Sequence, residues 1–159
     1  MAIETERKFL LKSDAWRDGP PGLRMSQGYL ARDKERSVRI RLAGDKAFLT
    51  IKGAGEGISR QEFEYAIPPE EARELLKLCL PSIIEKIRHE RHYAGHCWEV
   101  DEFLGANAGL IVAEIELDAE DTAFEKPDWI GEEVSDDPRY FNACLASHPW
   151  KEWGDARSA

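Results

Sequence analysis

Cysteine is scarce. Three residues, Cys79, Cys97 and Cys144, form an odd set without Cys-x-x-Cys spacing, which argues against a disulfide framework and for reduced thiols. Long apolar runs are missing too. Nothing approaches the ~20 apolar residues of a membrane span, and no apolar run precedes the first charge at Glu4. Neither a membrane helix nor a signal peptide is therefore expected, and the expected location is the cytoplasm. Bases are outnumbered, 22 Lys and Arg against 31 Asp and Glu, for a net charge of −9 and a pI near 5.0, which argues against non-specific nucleic-acid binding. There is no linker, internal repeat or low-complexity segment, so one domain spanning 1–159 is expected.

The acidity is local. Residues 118–137 hold nine acids and one base, Lys126. The rest of the chain is close to neutral, which leaves room for a basic pocket.

What is abundant is period-two alternation, the mark of strands with two unlike faces. In Glu4-Thr5-Glu6-Arg7-Lys8, the residues Glu4, Glu6 and Lys8 share a face, flanked by Ile3, Phe9 and Leu10. In 38–42, Arg39 and Arg41 oppose Val38, Ile40 and Leu42, and in 48–52, Thr50 and Lys52 oppose Leu49 and Ile51. Arg60, Glu62 and Glu64 oppose Phe63, Tyr65 and Ile67. Lys86 and Arg88, Asp101, and the pair Glu114 and Glu116 repeat the scheme, and 27–30 reads as a further strand. Turns are expected at Gly44-Asp45, 53–57, 93–96 and 105–109. Helices are expected from Pro68-Pro69 to a stop at Pro81, over 119–126, and from Asp137-Pro138 to about Ser147. The expected class is α+β, an antiparallel meander with helices on its apolar side.

One set of strand faces thus carries seven acids (Glu4, Glu6, Glu62, Glu64, Asp101, Glu114, Glu116) and six bases (Lys8, Arg39, Arg41, Lys52, Lys86, Arg88). A solvent-facing ladder of ion pairs is one explanation. Like charges in i, i+2 doublets, about 7 Å apart, repel by about 2 kcal/mol at an effective dielectric near 20. In an enclosed space that repulsion would raise the carboxylate pKa values unless a cation intervened. Carboxylate oxygens suit Mg²⁺ or Mn²⁺, and guanidinium doublets suit phosphate oxygens. The second explanation is therefore a site for a metal-complexed phosphate chain, and the pattern alone leaves both open.

In order along the chain, Glu4-x-Glu6-x-Lys8, Arg39-x-Arg41, Lys52, Arg60-x-Glu62-x-Glu64, Lys86-x-Arg88, Asp101 and Glu114-x-Glu116 resemble the ExExK signature and charged strands of the CYTH superfamily, the triphosphate tunnel metalloenzymes. The resemblance covers nearly the whole chain and is nearest to the small bacterial members, several of which hydrolyse inorganic triphosphate. It implies a closed antiparallel barrel of about eight strands, forming a charged tunnel with helices packed outside. It implies that Glu4, Glu6, Asp101, Glu114 and Glu116 hold Mg²⁺ or Mn²⁺, and that Lys8, Arg39, Arg41, Lys52, Lys86 and Arg88 hold phosphate oxygens. Glu62 and Glu64 become further tunnel acids, Lys52 and Tyr29 become helpers at the leaving group, and Tyr29 has packed aromatic as its competing role.

The implied reaction is metal-dependent hydrolysis of inorganic triphosphate. Thiamine triphosphate, nucleoside triphosphates and ATP cyclisation are alternatives in the same site, and a phosphate-binding module without turnover is the non-enzymatic alternative. The expected partner is the small-molecule substrate, with no nucleic acid and no membrane, and a homodimer is left open. The segment around Arg139 and Tyr140 would line one tunnel mouth or simply cap the barrel.

Three other signals are weak. Gly53, Gly55 and Gly57 lack a following Gly-Lys-Ser/Thr and a helix start, so a hairpin is expected. His89, His92, His96 and Cys97 lack the geometry of a zinc site, because His89 and His92 point to opposite faces of a strand. Trp129, Trp150 and Trp153 read as late-chain packing or exposed tail rather than ligand stackers, and Cys144, amid helix-like apolar residues, has no evident base to make it a nucleophile.

Overall fold

The structure, a computed structural model, describes residues 3–80 and 83–153. Nine strands follow in chain order: β1 (Ile3–Leu11), β2 (Leu23–Arg32), β3 (Arg36–Ala43), β4 (Lys46–Glu56), β5 (Ser59–Ile67), β6 (Ile84–Tyr93), β7 (His96–Phe103), β8 (Ile111–Glu116) and β9 (Ile130–Glu133). All pairings are antiparallel, in the order β5-β4-β3-β2-β6-β7-β8-β1-β9. A further pairing of β1 with β5 closes the first eight into a barrel. β1 makes the closure by changing partner along its length. Ile3–Thr5 pair with β5, Glu6–Leu10 with β8, and the free edge beyond Phe9 is taken by β9. A closed barrel leaves no unpaired edge among its eight strands, so the interior faces are fixed by register.

Tight hairpins set that register. Gly44, at φ 61°, joins β3 to β4 with Ala43 opposite Lys46, and Ala94-Gly95, both at positive φ, join β6 to β7 with Tyr93 opposite His96. Ile40, Leu42, Leu49 and Ile67 face outward and are covered by α1 (Pro69–Lys77) through Ala72, Leu75 and Leu76. α1 begins as expected, with proline at N1 and Glu70 and Glu71 in its first turn. It ends at Lys77, and Pro81 lies outside the described residues. On neighbouring outer faces Ile51, Phe63 and Tyr65 stay exposed.

The chain departs from expectation in three places. Residues 119–126 are not helical: a turn at 120–121 leads into an extended stretch. That stretch lays Phe124 and Trp129 over the outward Phe9 and Trp98 of β1 and β7, with ring centroids 5.9–6.2 Å apart. Covering this apolar face outweighs the local helical pattern. Next, β9 is an additional strand inside the acidic run, anchored by buried Ile130. The last helix is broken. Asp137 caps a single 3₁₀ turn, Pro138–Tyr140, Phe141 is extended, and α2 (Asn142–Ser147) follows.

That break places the C-terminal segment against one part of the barrel interior. Leu10, Ile84, Phe103 and Val112 are in phase with the inward charged residues of their strands, and Tyr29 lies opposite the inward Arg39 of β3. They form one apolar cluster with Tyr140, Leu145, Ala146 and Trp153. Trp150 packs beside it and Trp129 joins the outer aromatic group, so all three late tryptophans are packing residues. The three thiols are free. Among the described residues no helix is long and apolar enough to cross a membrane.

Candidate active site in the barrel interior

The remaining interior is a cavity of about 310 Å³. Eleven of the thirteen charged residues singled out in the sequence line it, all but Lys86 and Asp101. Nine further lining residues were not among the expected site residues, Arg60, Glu99, Phe141 and Asn142 among them. The first two are legible in retrospect: Arg60 is in phase with Glu62, and Glu99 with Asp101.

Acids and bases interleave across strand seams. Glu114 of β8 lies opposite Lys8 of β1, and Lys8 Nζ donates to Glu114 Oε1 at 3.0 Å and lies 3.6 Å from Glu6. Across the closing seam, Lys52 Nζ donates to Glu4 Oε1 at 2.8 Å, with Glu62 at 3.9 Å. Thr50, fully buried, accepts from Arg39 at 3.2 Å and donates to Glu64 at 3.1 Å. Arg41 Nε donates to Gln27 Oε1 at 2.9 Å.

Asp101 and Lys86 lie deeper, both fully buried. Both carboxylate oxygens of Asp101 accept from Arg88, at 2.8 and 2.9 Å, and one also accepts from Lys86 at 2.8 Å. The expected roles of these two residues, metal ligand and phosphate contact, do not fit this placement. Asp101 is taken up by a bidentate guanidinium pair, and neither residue reaches the cavity wall. Tyr29 belongs to the apolar cluster and is also among the residues lining the cavity.

The titration behaviour follows from this crowding. Burial, then Glu114 nearby, pushes Glu6 up to about 8. Burial would raise Glu114, but Lys8, Arg88 and Lys86, and a hydrogen bond with Glu6, hold it well below the usual carboxylate range. Burial and a hydrogen bond with Glu62 raise Glu4, and burial followed by Glu4 raises Glu116. Burial alone would lower Lys8, but Glu114 and Glu6 outweigh it and hold its ammonium above the ordinary value. Asp101, despite burial, is brought to about 2 by Arg88 and Lys86. One carboxylate cannot fully compensate two buried cations. Lys86 therefore falls to about 7, through burial and the nearby Arg88 and Arg41, although Asp101 opposes the shift. Burial and the neighbouring Arg39 and Arg88 lower Arg41 to about 10.

Two features mark the cavity as built for ions. On the acidic side, protons and the ammonium groups of Lys8 and Lys52 sit among carboxylates that would otherwise repel. Among the described residues no three His, Cys, Asp or Glu side chains converge as a ready metal cage. The donor set of Glu4, Glu6, Glu114 and Glu116 is all oxygen, and its raised carboxyl groups are short of positive charge. It fits a hard divalent cation that would displace a proton. On the basic side, Arg39 and Arg41 stand on adjacent inward positions of β3, and among the described residues neither is hydrogen-bonded to a carboxylate. Glu64 forms a long ion pair with Arg39 at 3.9 Å, and among the described residues the buried Nε of Arg39 has no hydrogen-bond partner. Arg60 stacks on the Phe141 ring at 5.5 Å. The zinc alternative fails: His89 packs on Trp16 and faces Glu102, on the outer side of the barrel.

A closed antiparallel barrel with interior acids and bases defines a charged-tunnel protein of the kind that handles polyanions. The CYTH domain matches residues 2–141, and the chain belongs to that family. The match ends one residue short of Asn142. An inorganic triphosphatase of Acetivibrio thermocellus is 50% identical over 154 residues, covering 96% of this chain and 99% of the relative. An inorganic triphosphatase of Nitrosomonas europaea is 36% identical over 148 residues, 90% of this chain and 96% of the relative. The crystal structure of the inorganic triphosphatase NE1496 superposes with a TM-score of 0.66 at 34% identity, covering 92% and 95% of the two chains. The PH1012 protein of Pyrococcus horikoshii shares the fold, with a TM-score of 0.57 at 17% identity over 74% of this chain and 79% of that one.

Proposed function

We propose that this chain is a metal-dependent triphosphatase that cleaves inorganic triphosphate to pyrophosphate and phosphate. The observation that carries the reading is the division of one small cavity between the carboxyl groups of Glu4, Glu6 and Glu116, raised above the ordinary value, and the doublet Arg39 and Arg41, neither of which is hydrogen-bonded to a carboxylate among the described residues. The names of the two relatives at 50% and 36% identity support it, and so does the membership in a family whose enzymes generally depend on a metal.

In this reading Arg39, Arg41 and Arg60, with Lys8, Lys52 and Arg88, hold the phosphate oxygens by charge-assisted hydrogen bonds. Glu4, Glu6, Glu114 and Glu116 hold Mg²⁺ or Mn²⁺, and Glu62, Glu64 and Glu99 orient the bases. A divalent cation so held lowers the pKa of a bound water and neutralises phosphate charge. Lys52 and Arg39 stabilise the negative charge that develops as the terminal P–O bond breaks. In the same reading the Tyr29 hydroxyl donates to the leaving pyrophosphate, and Asp101 fixes Arg88 in position. The segment after Phe141 belongs to the same unit, because Leu145 and Trp153 share a core with Tyr29 and Phe103. The free thiols support a reducing compartment, the cytoplasm.

The test is phosphate release from inorganic triphosphate, thiamine triphosphate, ATP and pyrophosphate, with Mg²⁺, Mn²⁺ or chelator. The expected result is release that depends on metal and is greatest with inorganic triphosphate. Absence of release from every substrate in the presence of metal would overturn the proposal.

A further inference from the structure

Asn142, at the start of α2, ties the C-terminal segment to the base array. Its Oδ1 accepts from Lys86 Nζ at 2.9 Å and from Gln27 Nε2 at 3.2 Å. The orientation of this amide chain is not arbitrary. Arg41 can only donate, so the Gln27 atom facing it at 2.9 Å is the oxygen Oε1. Gln27, fully buried, must then present its NH₂ to Asn142. The lysine ammonium is also a donor only, so the Asn142 atom facing both partners must be its oxygen. The Asn142 NH₂ group is thereby turned away from both. It has no hydrogen-bond partner among the described residues, and Asn142 lines the same cavity as Arg39, Arg41 and Tyr29.

We propose that Asn142 is a substrate-binding residue. Its Nδ2 donates to a phosphate oxygen of the bound triphosphate, beside Arg41, and its Oδ1 is locked by Gln27 and Lys86 so that no other orientation is available. The inference rests on the proposed triphosphatase reading and adds a neutral donor from outside the barrel strands. An amide in this position completes an oxygen's coordination without adding to the like-charge repulsion among buried bases, which together with the larger effect of burial already lowers Arg41.

The test compares Asn142→Asp and Asn142→Ala with the wild type. Aspartate retains an acceptor for Lys86 and Gln27 but loses the donor and adds a negative charge towards the phosphate. Alanine loses both functions. If Asn142 binds substrate, Asn142→Asp melts at or above the wild-type temperature, yet its KM for inorganic triphosphate rises by about tenfold or more, beyond that of Asn142→Ala, with a smaller change in kcat. Titration calorimetry of inorganic triphosphate into the metal-free proteins shows the same order of affinity without turnover. If Asn142 only props up Lys86, aspartate restores what alanine loses. An Asn142→Asp enzyme with wild-type KM and affinity would overturn the donor assignment while leaving the triphosphatase reading intact. A wild type that neither binds nor cleaves triphosphate would remove both.

Discussion

Lys52 Nζ and Glu4 Oε1 lie 2.8 Å apart across the seam where the first strand closes the barrel on β5. Their side chains are only 18% and 14% exposed. The pair joins the base expected at the leaving group to a carboxylate expected at the metal. Replacing Lys52 by Met should therefore act twice. Removing one partner of a largely buried pair costs about 2 kcal/mol or more, and phosphate release should fall severely. Because Glu4 and Glu62 are left without a cation, Mg²⁺ or Mn²⁺ should restore part of the melting temperature without restoring activity. Scanning calorimetry with and without metal measures this, and a variant whose loss is untouched by metal would separate Lys52 from the metal site.

Glu6 makes stability depend on pH in an unusual direction. From the ordinary carboxylate value of 4.5 up to about 8, the folded state keeps a proton on Glu6 that the unfolded chain has released. The folded protein binds more protons in this window, so Glu6 lowers stability progressively as pH rises through it. Glu6→Gln cannot ionise. The wild-type melting temperature should therefore fall relative to that of Glu6→Gln between about pH 5 and about pH 8.5. A metal bound to the wild type competes with this proton, so its stabilising effect should grow over the same window. A metal-induced shift that is the same at both ends would contradict the assignment.

Arg41 should behave in the opposite way to Lys52. It is held among Arg39 and Arg88, which repel it, and its one hydrogen bond among the described residues is to neutral Gln27. Arg41→Ala should leave the melting temperature unchanged or raise it, while KM for triphosphate rises by about tenfold or more. A variant that binds triphosphate normally would show that the arginine doublet is structural.

Asp101→Asn separates a positioning role from metal ligation. The fully buried carboxylate answers both Arg88 and Lys86, so neutralising it leaves buried cations uncompensated, at a cost of about 3–5 kcal/mol. Divalent metal should not recover that loss, and metal affinity should change little. A large fall in metal affinity with stability preserved would return Asp101 to the metal site.

The strands and the direction of their charged faces were legible because the side-chain period is two and each inward charge falls in phase with its neighbours. Glu4, Glu6 and Lys8 already implied where Glu114 and Glu116 must face, since β1 and β8 pair in register. What the pattern could not convey was depth. Asp101 and Glu99 share one face, yet Asp101 is sealed under Arg88 while Glu99 lines the cavity. That difference is set by which partner reaches each carboxylate. The stretch 119–126 looked helical because its local composition permits a helix, whereas the outward-facing rings of Phe9 and Trp98 require an extended cover. Asn142 carried no signal at all. Its role depends on the break at Phe141, and it needs Gln27 and Lys86, which are distant in sequence, to orient its amide.

All of these expectations depend on one interior holding both ions. Crystals grown with Mn²⁺ and inorganic triphosphate test this directly through the anomalous signal of manganese and the density of the phosphate chain. The expected result is manganese among Glu4, Glu6, Glu114 and Glu116, with the phosphates against Arg39 and Arg41. Manganese or triphosphate found only outside the barrel, with the interior carboxylates still paired to Lys8 and Lys52, would contradict the account.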